Sequence, residues 1–164
     1  MVHNNQRQKI LLREVQKNDL DSFFQHQLDP KANWMAAFTA KDPTDRPAFD
    51  AHWQKILADK SIIIRTILYD GRVAGSVLCH SWEGDPEISY WLGRQYWGLG
   101  IATHALALFL KIALDRPLYA RVAKDNIASI RVLEKNGFTF VSEGRWFSNA
   151  RGKEISELVW VLKK

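Results

Sequence analysis

The sequence predicts one mixed α/β domain whose sheet is largely antiparallel, and three observations carry that prediction. Residues 61–69 and 72–80 are rich in β-branched side chains and flank Asp70-Gly71, the two-residue turn of a β-hairpin. Residues 87–92 alternate, with Ile88, Tyr90 and Leu92 set against Glu87, Ser89 and Trp91, so a third strand extends the hairpin into a meander. Next come a glycine-containing link, a dense apolar run over 99–114 and a further strand at 118–122. A strand–helix–strand unit of this spacing is a crossover, which makes the strands at 87 and 118 parallel. A length of 164 residues suits a single domain spanning 1–164.

The other elements follow in order. Residues 9–14 read as a first strand, with Ile10, Leu11 and Leu12 apolar. Asn18 and Asp19 are suited to cap a helix over 20–28, which Asp29-Pro30 ends. Residues 31–47 have weak periodicity and two turn pairs, Asp42-Pro43 and Arg46-Pro47, and read as a short helix plus a loop. A helix over 48–58 carries Phe49, Trp53, Ile56 and Leu57 toward the core. A second helix over 126–135 places Ile127, Ile130 and Leu133 on one face and stops at Asn136-Gly137. Strands at 138–142 and 154–162 are expected, joined by a polar loop over 143–153.

Composition narrows the function classes. No apolar run reaches the ~20 residues that span a bilayer, and the N-terminal residues lack the apolar stretch of a signal peptide. The expectation is a cytoplasmic protein without a membrane partner. The single cysteine, Cys79, has no internal disulfide partner and reads as a buried structural thiol. The net charge of +5 comes from scattered residues rather than a Lys/Arg-rich run, so no nucleic-acid partner is expected. No metal-ligand spacing stands out, and no metal is expected.

The segment from Tyr90 to Thr103 is the informative one. A strand, a glycine turn and a helix start in that order form an anion site, because the first helical N–H groups have no intrahelical partners and the helix dipole favours negative charge. A dinucleotide fold is disfavoured by the meander before the loop. A P-loop is excluded because no Gly-Lys-Ser/Thr follows the glycines.

Gln95-x-x-Gly98-x-Gly100-x-Ala102 resembles the acyl-CoA pyrophosphate loop of the GNAT acetyltransferase superfamily. The segment Asn126-x-x-Ser129-x-x-x-Leu133-Glu134-Lys135-Asn136-Gly137-Phe138 resembles that family's second signature. The strand at 87–92 resembles its ribosomal-protein N-terminal acetyltransferase branch. The likeness is densest over 87–141.

The resemblance implies a GNAT-like fold and acetyl-CoA as co-substrate. It implies that the pantetheine arm pairs with the backbone of Trp91, Leu92 and Gly93. The pyrophosphate would lie on the amides of Tyr96, Trp97, Gly98, Leu99, Gly100, Ile101 and Ala102, with Gln95 and Thr103 as polar contacts. Asn126 corresponds to an asparagine that contacts the pantetheine arm, although it is also an ordinary helix cap. Glu87 stands where family members place a carboxylate that accepts a proton through water, and an ordinary strand-start glutamate is the alternative. Ser129 matches a serine near the reacting sulfur, and Tyr90 and Tyr119 are alternatives for the same task. Two departures stand out. Leu133 occupies the place of a common catalytic tyrosine, and His104 replaces a glutamate.

The function this implies is N-acetylation of a primary amine, either a small molecule or a peptide N-terminus, by a monomer or homodimer. The missing tyrosine leaves a non-catalytic CoA-binding sensor or regulatory module as the alternative. The acceptor is expected near residues 29–53, 81–85 and 143–153, which carry Trp34, Phe38, Trp53, Trp82 and Trp146 with Glu83 and Asp85. An aromatic pocket with nearby carboxylates suits a cationic amine.

Overall fold

The computed structural model describes residues 9–81 and 84–164; Trp82 and Glu83 of the expected acceptor loop, and residues 1–8, lie outside the described residues. Asp70 and Gly71 both take left-handed backbone angles, φ 49° and 78°, the twist that closes a two-residue hairpin. The turn joins β2 (Ile63–Tyr69) to β3 (Arg72–His80), and β1 (Ile10–Arg13) adds to the outer edge of β2. β4 (Glu87–Leu92) completes the antiparallel meander on β3. β5 (Leu118–Ala123) then lies parallel to β4, as the crossover requires. β6 (Thr139–Ser148) and β7 (Lys153–Leu162) close a seven-stranded sheet in the order β1-β2-β3-β4-β5-β7-β6.

Helices cover both faces. α1 (Asp19–Gln27), α2 (Pro30–Ala36) and α3 (Arg46–Ala58) lie between β1 and β2 in sequence, α4 (Ile101–Phe109) forms the crossover, and α5 (Ile127–Lys135) links β5 to β6. Cross-strand pairs share a face, so the faces can be assigned residue by residue. Ile88, Leu92, Ala120, Val122, Leu158 and Trp160 pack with Ile101, Leu106 and Phe109 of α4 and Leu133 of α5. The opposite face holds Phe23, Phe24, Phe49, Trp53 and Ile56 of α1 and α3 against Ile64.

Three expectations change. The predicted long helix over 99–114 is only Ile101–Phe109. The apolar run continues through turns that bury Ala113 while leaving Ile112 and Leu114 exposed. The polar loop over 143–153 is mostly strand, since β6 runs to Ser148 and pairs with β7 as far as Lys153. As an edge strand with exposed residues such as Phe140, Trp146 and Phe147, β6 lacks the one-sided alternation by which a strand is read. Asp19 does not cap α1 from outside. It is the first helical residue, with its carboxylate buried.

That carboxylate joins three elements. Asp19 accepts from both terminal nitrogens of Arg13, at 2.6 and 2.9 Å, from the Gln16 amide and from the Thr66 hydroxyl of β2. Burial alone would raise its pKa, but these hydrogen bonds outweigh that cost and hold it below the usual carboxylate range. A group with a lowered folded pKa stabilises above its unfolded pKa of about 4 and loses that contribution as the pH falls through the folded value. Asp19→Asn is therefore expected to cost about 1–3 kcal/mol at pH 7. Denaturant titrations at pH 7 and pH 3 should show the gap between wild type and variant narrowing at the acidic end.

Candidate functional site

β4 and β5 pair only at Glu87–Tyr119 and Ile88–Ala120. Beyond those two pairs the strands part, and a cavity of about 260 Å³ opens between them, lined from both faces of the sheet. Tyr119 N–H donates to the Pro86 carbonyl, whereas Gly93 N–H donates to Ala74 of β3. Backbone groups alternate in direction along a strand. The main chain of Tyr90 and Leu92 thus faces the gap, while that of Trp91 and Gly93 faces β3. This corrects the expectation that Trp91, Leu92 and Gly93 together offer a strand edge. The Leu92 carbonyl already accepts from Trp97 Nε1 at 3.1 Å, so the polar groups available at the edge are those of Tyr90 and the Leu92 amide.

On the α1–α3 side the cavity is charged. Glu87 shares this face with His80, its cross-strand partner on β3, and meets Arg121 Nε at 3.4 Å. Arg121 also reaches Glu157 of β7 at 3.6 Å. Glu157 is 8% exposed; burial pushes its carboxyl pKa up, Arg121 opposes the shift, and the Glu87 charge adds to it. Burial also lowers the pKa of the His80 imidazole, with Glu87 opposing that shift.

On the α4–α5 side the cavity carries hydroxyls. Tyr90 Oη and Ser129 Oγ are 2.6 Å apart, and Tyr90 also donates to the Ser129 carbonyl at 3.3 Å. Burial pushes the Tyr90 phenol up to about 12, with the Ser129 hydrogen bond opposing. Asn126 caps α5, its Oδ1 accepting from the Ser129 amide at 3.3 Å, and lines the same cavity. The cap fixes Ser129 at the start of the helix, over the gap.

The glycine turn follows β4. Tyr96 N–H donates to Gly93 and Trp97 N–H to Arg94, which removes both from the expected row of anion donors. Among the described residues, the amides of Gly98, Leu99, Gly100, Ile101, Ala102 and Thr103 make no hydrogen bond within the chain. They form the orphan set at the start of α4, a fit for a pyrophosphate. Gly98 and Gly100 both sit at φ 75°, and a Cβ on either would meet nothing within 4 Å. Glycine is needed there for its backbone angle, and the space above the amides is open. Gly93 is needed for closeness, since an added Cβ would lie 2.7 Å from the His26 ring.

The expected residues divide clearly. Glu87, Trp91, Asn126 and Ser129 line the cavity. Gln95 is exposed beside the turn, and Thr103 lies in the first turn of α4, its carbonyl accepting from Asn136. The expected aromatic pocket is dispersed. Phe38 lines the cavity, Trp53 is core, Trp146 is exposed on β6, and Trp34 lies under the Arg151 guanidinium at 5.1 Å. Glu157, Arg121 and His80 escaped the sequence reading. A charged residue inside the apolar alternation of 155–162 was the available signal for Glu157. Arg151 was also missed. It forks onto Asp125, next to the Asn126 cap, and donates to the Trp34 carbonyl.

The acetyltransferase (GNAT) domain family matches residues 9–139. A Bacillus subtilis protein provisionally named ribosomal N-acetyltransferase YdaF is 30% identical over 119 residues, 66% of this chain and 64% of that protein. The chain spans less than two thirds of the length of the curated relatives it matches. In fold it is similar to Mycobacterium smegmatis RimJ in complex with CoA-disulfide (TM-score 0.79, 21% identity, 94% of this chain and 81% of that one). It is also similar to the microcin C7 self-immunity acetyltransferase MccE in complex with acetyl-CoA and AMP (TM-score 0.78, 17% identity, 95% and 93%).

A side chain at Gly100 has room but not the right backbone preference. Gly100→Ala is expected to lose about 1–2 kcal/mol, read as a lowered denaturant midpoint at an unchanged slope.

Proposed function

The chain belongs to the GNAT acetyltransferase family, and on that premise we propose that it moves the acetyl group of acetyl-CoA directly onto a primary amine, of a small molecule or a protein N-terminus. The observation that carries this reading is the gap between β4 and β5. It joins the unpaired β4 edge at Tyr90, on the strand that leads into the orphan amide row, to a charged vestibule on the other side of the sheet. Bound acetyl-CoA supplies an activated thioester, and the chain's own residues hold and orient it. The amides of Gly98 to Thr103 take the pyrophosphate, and the Tyr90 and Leu92 edge and Asn126 take the pantetheine arm. Among the described residues no metal-binding cluster is present, and the reading requires none.

An amine is protonated at neutral pH, so a carboxylate on the charged side has to relieve it of a proton. The departing sulfur needs a hydrogen-bond donor, and Ser129 fills that role. With a phenol pKa of about 12, Tyr90 is a weaker acid than a thiol of ordinary pKa ~8.5, so it keeps its proton. It acts instead as a positioning residue 2.6 Å from Ser129 Oγ; with the phenol as the donor of that bond, the serine proton is left directed into the cavity. This accounts for a site that works without a tyrosine at Leu133.

Titration calorimetry with acetyl-CoA tests the reading at its root, and absence of binding at millimolar ligand sinks it. Binding without thiol release across an amine panel would instead indicate a non-catalytic CoA-binding module. Within an active enzyme, Tyr90→Phe and Ser129→Ala should each lower kcat roughly tenfold, the scale of one lost transition-state hydrogen bond of about 1.4 kcal/mol, with acetyl-CoA affinity little changed. The double variant should be no slower than Ser129→Ala alone, because the two hydroxyls act as a unit. Additive losses would separate them.

A further inference from the structure

Glu87 and Glu157 lie on the same face of the sheet and share one guanidinium, yet their surroundings differ. Glu87 sits at the β4 end of the gap with its side chain 24% exposed, and Arg121 Nε is 3.4 Å away. Glu157 is 8% exposed, beneath the vestibule, with Arg121 as its ion-pair partner among the described residues at the longer distance of 3.6 Å. Among the described residues, no cation other than Arg121 comes within ion-pair distance of Glu157. β5 offers Ala123 opposite it and Arg121 beside it, β6 offers Gly144, β3 offers His80, whose imidazole pKa burial lowers, and α2 ends in Ala36. A carboxylate buried with a single long ion pair costs stability, and such groups cluster at functional sites.

Resting on the acetyl-transfer reading, we propose that Glu157 is the general base and Glu87 the anchor that draws in the acceptor as a cation. The ammonium N–H bond breaks as the Glu157 Oε–H bond forms. The freed nitrogen lone pair then forms the C–N bond while the C–S bond breaks. The nitrogen's second proton ends on the departing sulfur, and Glu157 returns its proton to solvent. Burial suits Glu157 to this exchange, since its raised pKa moves it closer to that of an amine. Arg121, bridging the two carboxylates, sets their spacing.

The two roles separate in steady-state kinetics on the full chain, with thiol release measured from pH 5 to pH 10 using acetyl-CoA and the best amine of a panel. Glu157→Gln should lower kcat about 100-fold. Its kcat should then climb through pH 9, as the acceptor's own deprotonation becomes limiting. Glu87→Gln should raise the acceptor KM roughly tenfold and keep the wild-type shape of the kcat profile. Unchanged acetyl-CoA affinity by calorimetry certifies that each variant is folded. Glu157→Asp, which keeps the carboxylate, should recover part of kcat and the wild-type profile. Wild-type kcat and profile in folded Glu157→Gln overturn the assignment, and so does a profile changed by Glu87→Gln alone. Failure of the transfer reading looks different, since the wild type itself would release no thiol.

Discussion

The fold turns on how little β4 and β5 pair. Two residue pairs hold the strands together at Glu87 and Ile88, and every later feature of the site follows from their parting. Were the ladder to continue, Tyr90 and Leu92 would spend their backbone groups on β5, and no passage would run through the sheet. The strands are kept apart by what flanks them. α5 is capped by Asn126 directly after β5, and the turn after β4 is pinned by Trp97 on the Leu92 carbonyl and by His26 against Gly93.

Because the gap pierces the sheet, its two mouths have different chemistry. Carboxylates and a guanidinium surround one, and two coupled hydroxyls and the Asn126 cap line the other. Each mouth is built from residues of one strand parity, so alternation alone sorts Glu87, Arg121 and Glu157 from Tyr90 and its serine partner. Placing the carboxylates and the orphan amides on opposite sides also keeps them from cancelling each other's field over a short distance.

Much of this was legible in the sequence where the deciding chemistry is local. Asp70-Gly71 specifies its own turn, Asn126 specifies its own cap, and the strand–helix–strand spacing fixed the parallel pair. The glycine loop reads as an anion site from sequence, yet which of its amides lack a partner within the chain depends on bonds from Tyr96 and Trp97 that only the folded turn displays. The second half of β6, beyond the expected strand at 138–142, was hidden because an edge strand exposed on both sides has no buried stripe to betray it. The end of α4 was hidden because Ala113 remains buried after the helix has stopped. Glu157 was overlooked for a longer-range reason. Its meaning comes from Arg121 and Glu87 on two other strands, and no window of sequence around residue 157 contains either.

The two largest apolar clusters lie on opposite faces of the sheet, one around Phe109 and one around Trp53. They share no buried side chain. Substitutions made in one should combine additively with those in the other, as expected for separated sites. The cluster around Trp53 is thus a place where stability can be adjusted as an independent quantity, while the packing beneath Tyr90 and Ser129 is left as it stands.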